Sequence, residues 1–382
     1  MKKSLLSVVL ASAMTAAVLS GCGSSDASAE SSAAQSVSSV SDAAAEETSG
    51  ASAAVFGDSE TSAADSAVSA SSGQASSEAD GAFTDPAGNE ITLPDEVNSI
   101  VSMAPSNTRI LIDLGLADKI TACDTYSEMY YGDQLTEDIP TFDMMQPDQE
   151  QIVALNPDLV LTTGMSYSQG DDVYASVREA GVCVADIPTA ETLAEIGSDI
   201  EFIGKCTGEE EKAENIVSEM NDSINKMKEL GSTIDVGPLK SVLLVTSTPT
   251  ADYPTIYAAG SDTYIDEIIT DLGCINAAAT DSGEQWPALT EEAAVSLNPD
   301  VIISTDTYTE NVVDTWLSME GWENVNAIKN KEVYLLKYSN ELNQPNQHVV
   351  SAMVEMAKDI YPDVYKDLED PFDGTASESE EN

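Results

Sequence analysis

A twelve-residue phrase occurs twice in this chain, and its recurrence constrains the fold more than any other feature. Glu150 to Leu161 reads EQIVALNPDLVL, and Glu292 to Ile303 reads EAAVSLNPDVII, at a spacing of 142 residues without a gap. In both copies a short helix with an apolar face is expected to stop before Asn-Pro, since proline excludes the α conformation at the preceding residue. A buried parallel strand then starts at the aspartate. Either a common helix-turn-strand element has been used twice, or the chain is built from two equivalent lobes. Strands and helices recur on both sides of each copy, which favours two lobes.

Those flanking segments alternate strand and helix, the pattern of α/β lobes with parallel sheets. Strands are expected at residues 99–103, 120–123, 159–163 and 182–187, with helices at 108–116 and 172–180. A second set follows, with strands at 241–246, 301–304 and 332–336 and helices at 263–272 and 345–360. Between the sets, Thr207 to Leu230 reads as one helix. Thr207 is its expected cap, Glu209 to Glu211 suit its positive end, and Gly231 is its expected stop. A helix of that length spans roughly 36 Å. The predicted fold is α/β, two lobes with mostly parallel central sheets joined by one long backbone helix. Its boundaries are 83–206 for the first lobe, 207–231 for the bridge and 232–367 for the second lobe. A single stiff crossing allows little hinge opening.

The N-terminus sets the compartment. Lys2 and Lys3 precede an apolar run from Leu5 to Leu19, too short to span a membrane comfortably, followed by Ser20, Gly21 and Cys22. Residues 1–22 therefore read as a secretory signal, and Leu19 to Cys22 resembles a bacterial lipobox, whose cysteine carries a diacylglyceryl group and fatty acid such as palmitate. An ordinary cleaved signal or an N-terminal membrane helix is the alternative. Residues 23–82 are a Ser/Ala-rich acidic stretch, with ten acids, no Lys or Arg and only Phe56 as an aromatic between Gly23 and Asp80. Such a composition cannot bury enough apolar surface to offset its ordering entropy, so a flexible tether of roughly 40 Å r.m.s. reach is expected. Residues 368–382 read as an acidic disordered tail. The formal net charge of −53 repels phosphate backbones and anionic head groups, which argues against nucleic acid and against membrane contact beyond a lipid anchor. Cys123, Cys183, Cys206 and Cys274 form no C-x-x-C pair. An exported protein is free to pair them, but their apolar settings favour buried free thiols.

The body also resembles a known family. Asp85 to Pro94 (DPAGNEITLP) and Ile100 to Thr108 (IVSMAPSNT) resemble the opening of the cobalamin, haem and ferric-siderophore binding proteins of ABC importers, the class III periplasmic-type receptors. So do Ala154 to Asp158, Trp286 to Glu292 (WPALTEE), Gly321 to Asn324 with Val333 and Tyr334, and the last helix from Pro345 ending at Tyr361 and Pro362. The likeness runs in order over residues 83–365. It implies a monomeric receptor without a cofactor of its own, whose partners are an ABC permease and its ATPase. Its ligand would be a corrinoid, a ferric siderophore or haem. It further implies that Glu150 and Glu292, one on each lobe, dock onto permease arginines. A glutamate favoured by the positive helix start is the plainer explanation of either residue.

In open α/β sheets a ligand sits beyond the carboxyl ends of the strands. Candidate contacts are then Ser106, Asn107, Tyr126, Met144, Met145, Met165 and Tyr167 in the first lobe. The second offers Ser247, Trp286, Thr307, Tyr338 and Asn340. Aromatics and methionines suit a large, flat, partly apolar ligand, and Trp286 matches an indole that contacts cobalamin in the family. His348, the only histidine, is a weak candidate for a haem ligand and reads more simply as a surface or capping residue. Arg109 and Arg178 are the only arginines, which counts against a strongly anionic ligand. A free-metal receptor on the same fold would need several histidines. No G-x-S-x-G, H-E-x-x-H or P-loop motif supports an enzyme, and an adhesin is a more remote alternative.

Overall fold

A computed structural model describes residues 82–167, 172–234, 237–280 and 283–373. The expected signal, most of the tether and the end of the acidic tail lie outside these residues. The chain enters through an antiparallel hairpin of β1 (Ala82–Thr84) and β2 (Glu90–Thr92), so the tether's expected last residue already belongs to a strand.

The first lobe is a five-stranded, all-parallel sheet. Its strands are β3 (Ile100–Ser102), β4 (Ile120–Asp124), β5 (Thr141–Phe142), β6 (Leu159–Leu161) and β7 (Cys183–Ala185), in the order β5-β4-β3-β6-β7. Crossovers are α1 (Pro105–Asp113), α2 (Thr125–Tyr131), α3 (Gln149–Leu155) and α4 (Ala175–Glu179). The helix expected at 108–116 is thus shifted three residues earlier at the same length, and the one expected at 172–180 is shortened to five residues. Pro105 starts α1 at the first turn, where its missing N–H costs nothing.

The second lobe repeats the plan. From β8 (Ser241–Val245) the chain runs through the edge strand β9 (Ile256–Tyr257), α7 (Tyr264–Asp271) and β10 (Ile275–Asn276). It continues through β11 (Ala288–Leu289), which pairs with β9, α8 (Glu291–Leu297) and β12 (Val301–Ser304). Then come α9 (Val312–Leu317), α10 (Asn326–Asn330) and β13 (Val333–Leu335). The sheet order β10-β8-β12-β13 is parallel throughout and matches β4-β3-β6-β7 of the first lobe. The repeated phrase has one geometry. Both α3 and α8 are seven residues long, and they end on Asn156 (φ 50, ψ 54) and Asn298 (φ 48, ψ 54). The residue before proline escapes the forbidden region by turning left-handed, which asparagine tolerates. In both lobes the following aspartate N–H then donates to a serine carbonyl of the neighbouring strand segment, Asp158 to Ser99 at 2.8 Å and Asp300 to Ser241 at 2.9 Å.

Two helices join the lobes. α5 (Leu193–Thr207) opens with a capping box between Thr192 and Glu195 and closes on Gly208 in the left-handed region (φ 75). α6 (Glu210–Ser232) is the bridging helix. Its expected start and stop both need correction. Thr207 ends α5, its hydroxyl donating to Ile203 O at 2.8 Å, because Gly208 supplies the turn that terminates that helix. Gly231 lies within α6, where a Cβ would run into Asp271 O of the second lobe. Lys212 near the first end donates to Leu114 O at 2.8 Å in lobe one, while Lys228 pairs with Asp271 at 2.8 Å in lobe two. Along the way Gly204 and Gly197 of α5 let Ala213 and Val217 of α6 approach closely. The helix is fastened at both ends.

The chain finishes with α11 (Ser339–Asn343), α12 (Val349–Ile360) and α13 (Pro362–Tyr365). α12 starts four residues later than expected, since residues 345–348 form the connection that packs against lobe one. A continuous apolar core runs from α1 and α5 through α6 to α7 and α12, and separate clusters fill the outer face of each sheet. Leu368 and Phe372 are buried, so the expected tail packs down as far as residue 373, and residues 374–382 lie outside the described ones. Among the described residues the four cysteines are free; Cys123, Cys206 and Cys274 are buried and Cys183 partly so. Burial pushes the Cys206 and Cys274 thiols up to about 12, which leaves them unreactive at neutral pH.

Candidate functional site

A cavity of about 350 Å³ opens between the lobes. Its lining follows the carboxyl ends of all five strands of lobe one and of β8, β12 and β13 in lobe two. From lobe one come residues 104–107, Tyr126, Tyr130, Met144, Thr163, Met165 and residues 187–189. Lobe two contributes Thr246, Thr305, Thr307, Tyr308, Asn340 and residues 343–345. Parallel sheets aim every strand end at the same side, so two lobes facing one another make such a cleft from loops alone.

Short polar contacts fix those loops. Asn107 Nδ2 donates to Thr162 O at 2.9 Å, tying α1 to the end of β6. Asp124 caps α2 by accepting from Tyr126 N at 2.8 Å and Ser127 N at 3.1 Å, which orients the Tyr126 and Tyr130 helix. In lobe two, Asp306 accepts from the N–H groups of Thr248 (2.8 Å), Tyr308 (3.0 Å) and Thr309 (3.1 Å). Burial pushes its pKa upward, but these bonds outweigh that and hold it below the ordinary value. Tyr308 is 85% exposed and projects at the cavity rim. It lies close enough to Tyr130 that burial, aided by Tyr308 and Tyr126, pushes the Tyr130 phenol up to about 12.

Among the described residues the lining includes no Lys, Arg or His, and its single charged group is Asp199 of α5, 9% exposed, which has no hydrogen-bond or ion-pair partner among them. Burial, with the neighbouring Glu195, pushes this carboxyl up to about 7.

Seven of the twelve expected contacts line the cavity: Ser106, Asn107, Tyr126, Met144, Met165, Thr307 and Asn340. Four lie elsewhere. Trp286 precedes β11, 44% exposed, outside the lining, because the excursion between β10 and α8 carries it to the edge pair β9–β11. Tyr338 turns away, its hydroxyl donating to Asp373 Oδ1 at 2.8 Å. Met145 packs on the outer core of lobe one, and Ser247 sits in the bend after β8. Tyr167 ends a 3-10 turn, and its side chain lies outside the described residues. Asp199, Tyr130, Tyr308 and Thr305 were not anticipated. Tyr308 had a visible signal, since it adjoins Thr307 beyond the same strand.

Neither Arg109 nor His348 lines the cavity. They form a buried lock between the lobes. Asp113 at the end of α1 accepts from Arg109 Nη2 at 2.5 Å and also from Gln347 Nε2, and His348 Nε2 lies 2.8 Å from it. Tyr131 OH donates to Gln344 Oε1 at 2.5 Å. His348 stands at the N-cap position of α12 but is 1% exposed, so the surface reading is corrected: desolvation is offset by the Asp113 carboxylate. Burial raises the Asp113 pKa, yet His348 and Arg109 together pull it below the ordinary carboxylate value.

Glu150 and Glu292 are both exposed second residues of their helices. Each helix runs antiparallel to the strand it precedes, so its start lies on the carboxyl side of the sheet. Both glutamates therefore flank the side on which the cavity opens, and neither lines it.

Comparison with known proteins agrees with this architecture. The family described as "Periplasmic binding protein" matches residues 100–339. The chain belongs to that family. Its members of this kind are solute-binding receptors rather than enzymes. The chain is 32% identical over 286 residues to an uncharacterized ABC transporter substrate-binding lipoprotein, YvrC of Bacillus subtilis, covering 74% of this chain and 86% of that protein. A cobalamin-binding protein of Halobacterium salinarum is 24% identical over 281 residues, covering 72% of each chain. A solved structure of a possible iron-binding (periplasmic solute-binding) protein from Staphylococcus epidermidis superposes with a TM-score of 0.59 at 25% identity. That match covers 70% of this chain and 100% of the other. This receptor is thus of the substrate-binding class that serves ABC importers, with two α/β lobes and parallel central sheets. Among its described residues no helix is long and apolar enough to cross a membrane.

Proposed function

We propose that this receptor captures a corrinoid in the interlobe cavity and presents it to an ABC permease and its ATPase. The observation that carries this reading is the lining, which among the described residues offers tyrosines, methionines and neutral amides, with one carboxyl and no cation. Apolar and aromatic surface suits a broad, flat ring system, and Asn107, Asn340, Asn343 and Gln344 suit peripheral carboxamides. A strongly anionic ferric siderophore or the propionates of haem would meet no compensating charge. His348 is already engaged by Asp113, which also argues against haem. A weakly charged ferric complex is the second reading, favoured by the phenols of Tyr126, Tyr130 and Tyr308 at the cavity. The protein acts as a monomer, held at the extracytoplasmic face by diacylglycerol on Cys22. Glu150 and Glu292 engage the permease, one from each lobe.

Titration calorimetry of the mature protein with cyanocobalamin, a ferric siderophore and haem tests the ligand. One tight site for cyanocobalamin is expected. Tight binding of a sugar, peptide or free metal with no response to these three would contradict the proposal.

A further inference from the structure

Asp199 has no structural explanation within the fold. It lies on the buried stripe of α5 with Leu193, Ile196, Ile200 and Ile203, where an apolar residue would pack at no electrostatic cost. It is the seventh residue of the helix, too far along to benefit from the positive N-terminus. No described residue donates to it. Across the cleft, the Thr305 hydroxyl is also buried in the lining and has no hydrogen-bond partner among the described residues. Two polar groups, one from each lobe, are therefore desolvated toward the same cavity without a protein partner, which is costly unless a ligand completes them.

We propose that Asp199 is the specificity-determining residue of the cavity, accepting an N–H donor from the ligand, so that neutral carboxamide-bearing or cationic ligands are taken and anionic ones rejected. This deepens the corrinoid reading and rests on it. The surrounding field has the same sign. Glu195 lies one turn away on α5, and Asp85 and Glu191 line an adjacent cavity that shares Pro188, Thr189 and Asp199 with the cleft. Those three acids already have donors of their own: Glu195 closes the capping box, Asp85 accepts from Asn89 and Asp186 N, and Glu191 accepts from Gln285 Nε2 at 3.0 Å. Asp199 is left for the ligand. With its pKa pushed up to about 7, the carboxyl is only partly ionised at neutral pH. An N–H donor binds the ionised form best, so binding releases a proton and tightens as pH rises.

The test is calorimetric titration of the full mature chain and of Asp199→Asn with cyanocobalamin and with haem, at pH 6, 7 and 8. Wild type is expected to bind cyanocobalamin about ten-fold more tightly at pH 8 than at pH 6, following the ionised fraction. Asp199→Asn should bind it more weakly at pH 8, with no pH dependence, and should gain affinity for haem. The variant's thermal midpoint at pH 8 should be no lower than that of wild type, since a buried unpaired charge has been removed; a lower midpoint overturns the premise. Equal, pH-independent cyanocobalamin binding by both proteins overturns the role of Asp199 and leaves the corrinoid receptor standing. Haem binding without cyanocobalamin binding, or no binding of either, overturns both.

Discussion

Replacing Asp199 by asparagine should stabilise the ligand-free receptor, and by an amount that grows with pH. An aspartate in an unfolded chain ionises near 3.8, whereas burial and Glu195 push this one up to about 7. The folded pKa is the higher one, so the folded state holds the proton more tightly. Wild-type stability is then fully present below pH 4, declines as the unfolded chain ionises, and has lost its whole increment above pH 7. At 1.36 kcal/mol per pH unit the full difference is about 4 kcal/mol, more than half of which falls between pH 5 and pH 8. The side chain is nine-tenths buried, so solvent screening removes little of it. Asparagine does not titrate, and its neutral amide carries a far smaller desolvation cost. Urea unfolding of both proteins across pH 4 to 8 reads the difference directly. A stability difference that stays flat across that range would mean that Asp199 is solvated and ionised as an ordinary surface acid, and the reasoning about the cavity's electrostatics would be wrong.

Three further outcomes follow from other residues. Asp113→Ala leaves Arg109 buried without its carboxylate and should destabilise the protein by about 3–5 kcal/mol in urea; because the Asp113 pKa is held low, the contribution of the native carboxylate is present above pH 4 and is lost only as the pH falls below that. Reversing Glu150 and Glu292 to lysine should leave ligand affinity within about two-fold, as neither lines the cavity, while stimulation of the transporter's ATPase falls strongly; equal loss of binding would place them in the cleft. Cys22→Ala should shift the protein from the membrane to the soluble fraction, and retention with membranes would point to a membrane helix instead.

The parts of the fold that the sequence displayed were those where local pattern and burial agree. The strand Val301–Ser304 is buried on both faces and reads as an unbroken apolar run, so its limits were legible to the residue. The repeated phrase disclosed the two lobes because proline and asparagine force the same turn in both. The Thr207 start of the bridge was misplaced because threonine caps and glycine stops compete there. Gly208 ends α5, whose capping box at Thr192 and Glu195 was itself a readable signal. Within the site, residues directly beyond a strand end were legible, as with Ser106, Asn107 and Thr307. Trp286 and Tyr338 were not, since each depends on where a long excursion or a neighbouring chain segment carries the side chain. Asp199 lies on a helix, away from any strand end. The trace it left was an acid at a core position of the Leu193, Ile196, Ile200, Ile203 stripe.

The central claim is that the ligand is received between the lobes at the carboxyl ends of the strands. Amide hydrogen exchange, with and without whichever ligand binds in titration, tests it most directly. Protection should appear in both lobes together, at residues 104–107, 126–130, 163–165 and 187–189 and at residues 305–308 and 340–345. The far side of the molecule, at residues 94–98 and 205–208, should remain unchanged. Protection confined to one lobe, or centred on that far side, would contradict the account.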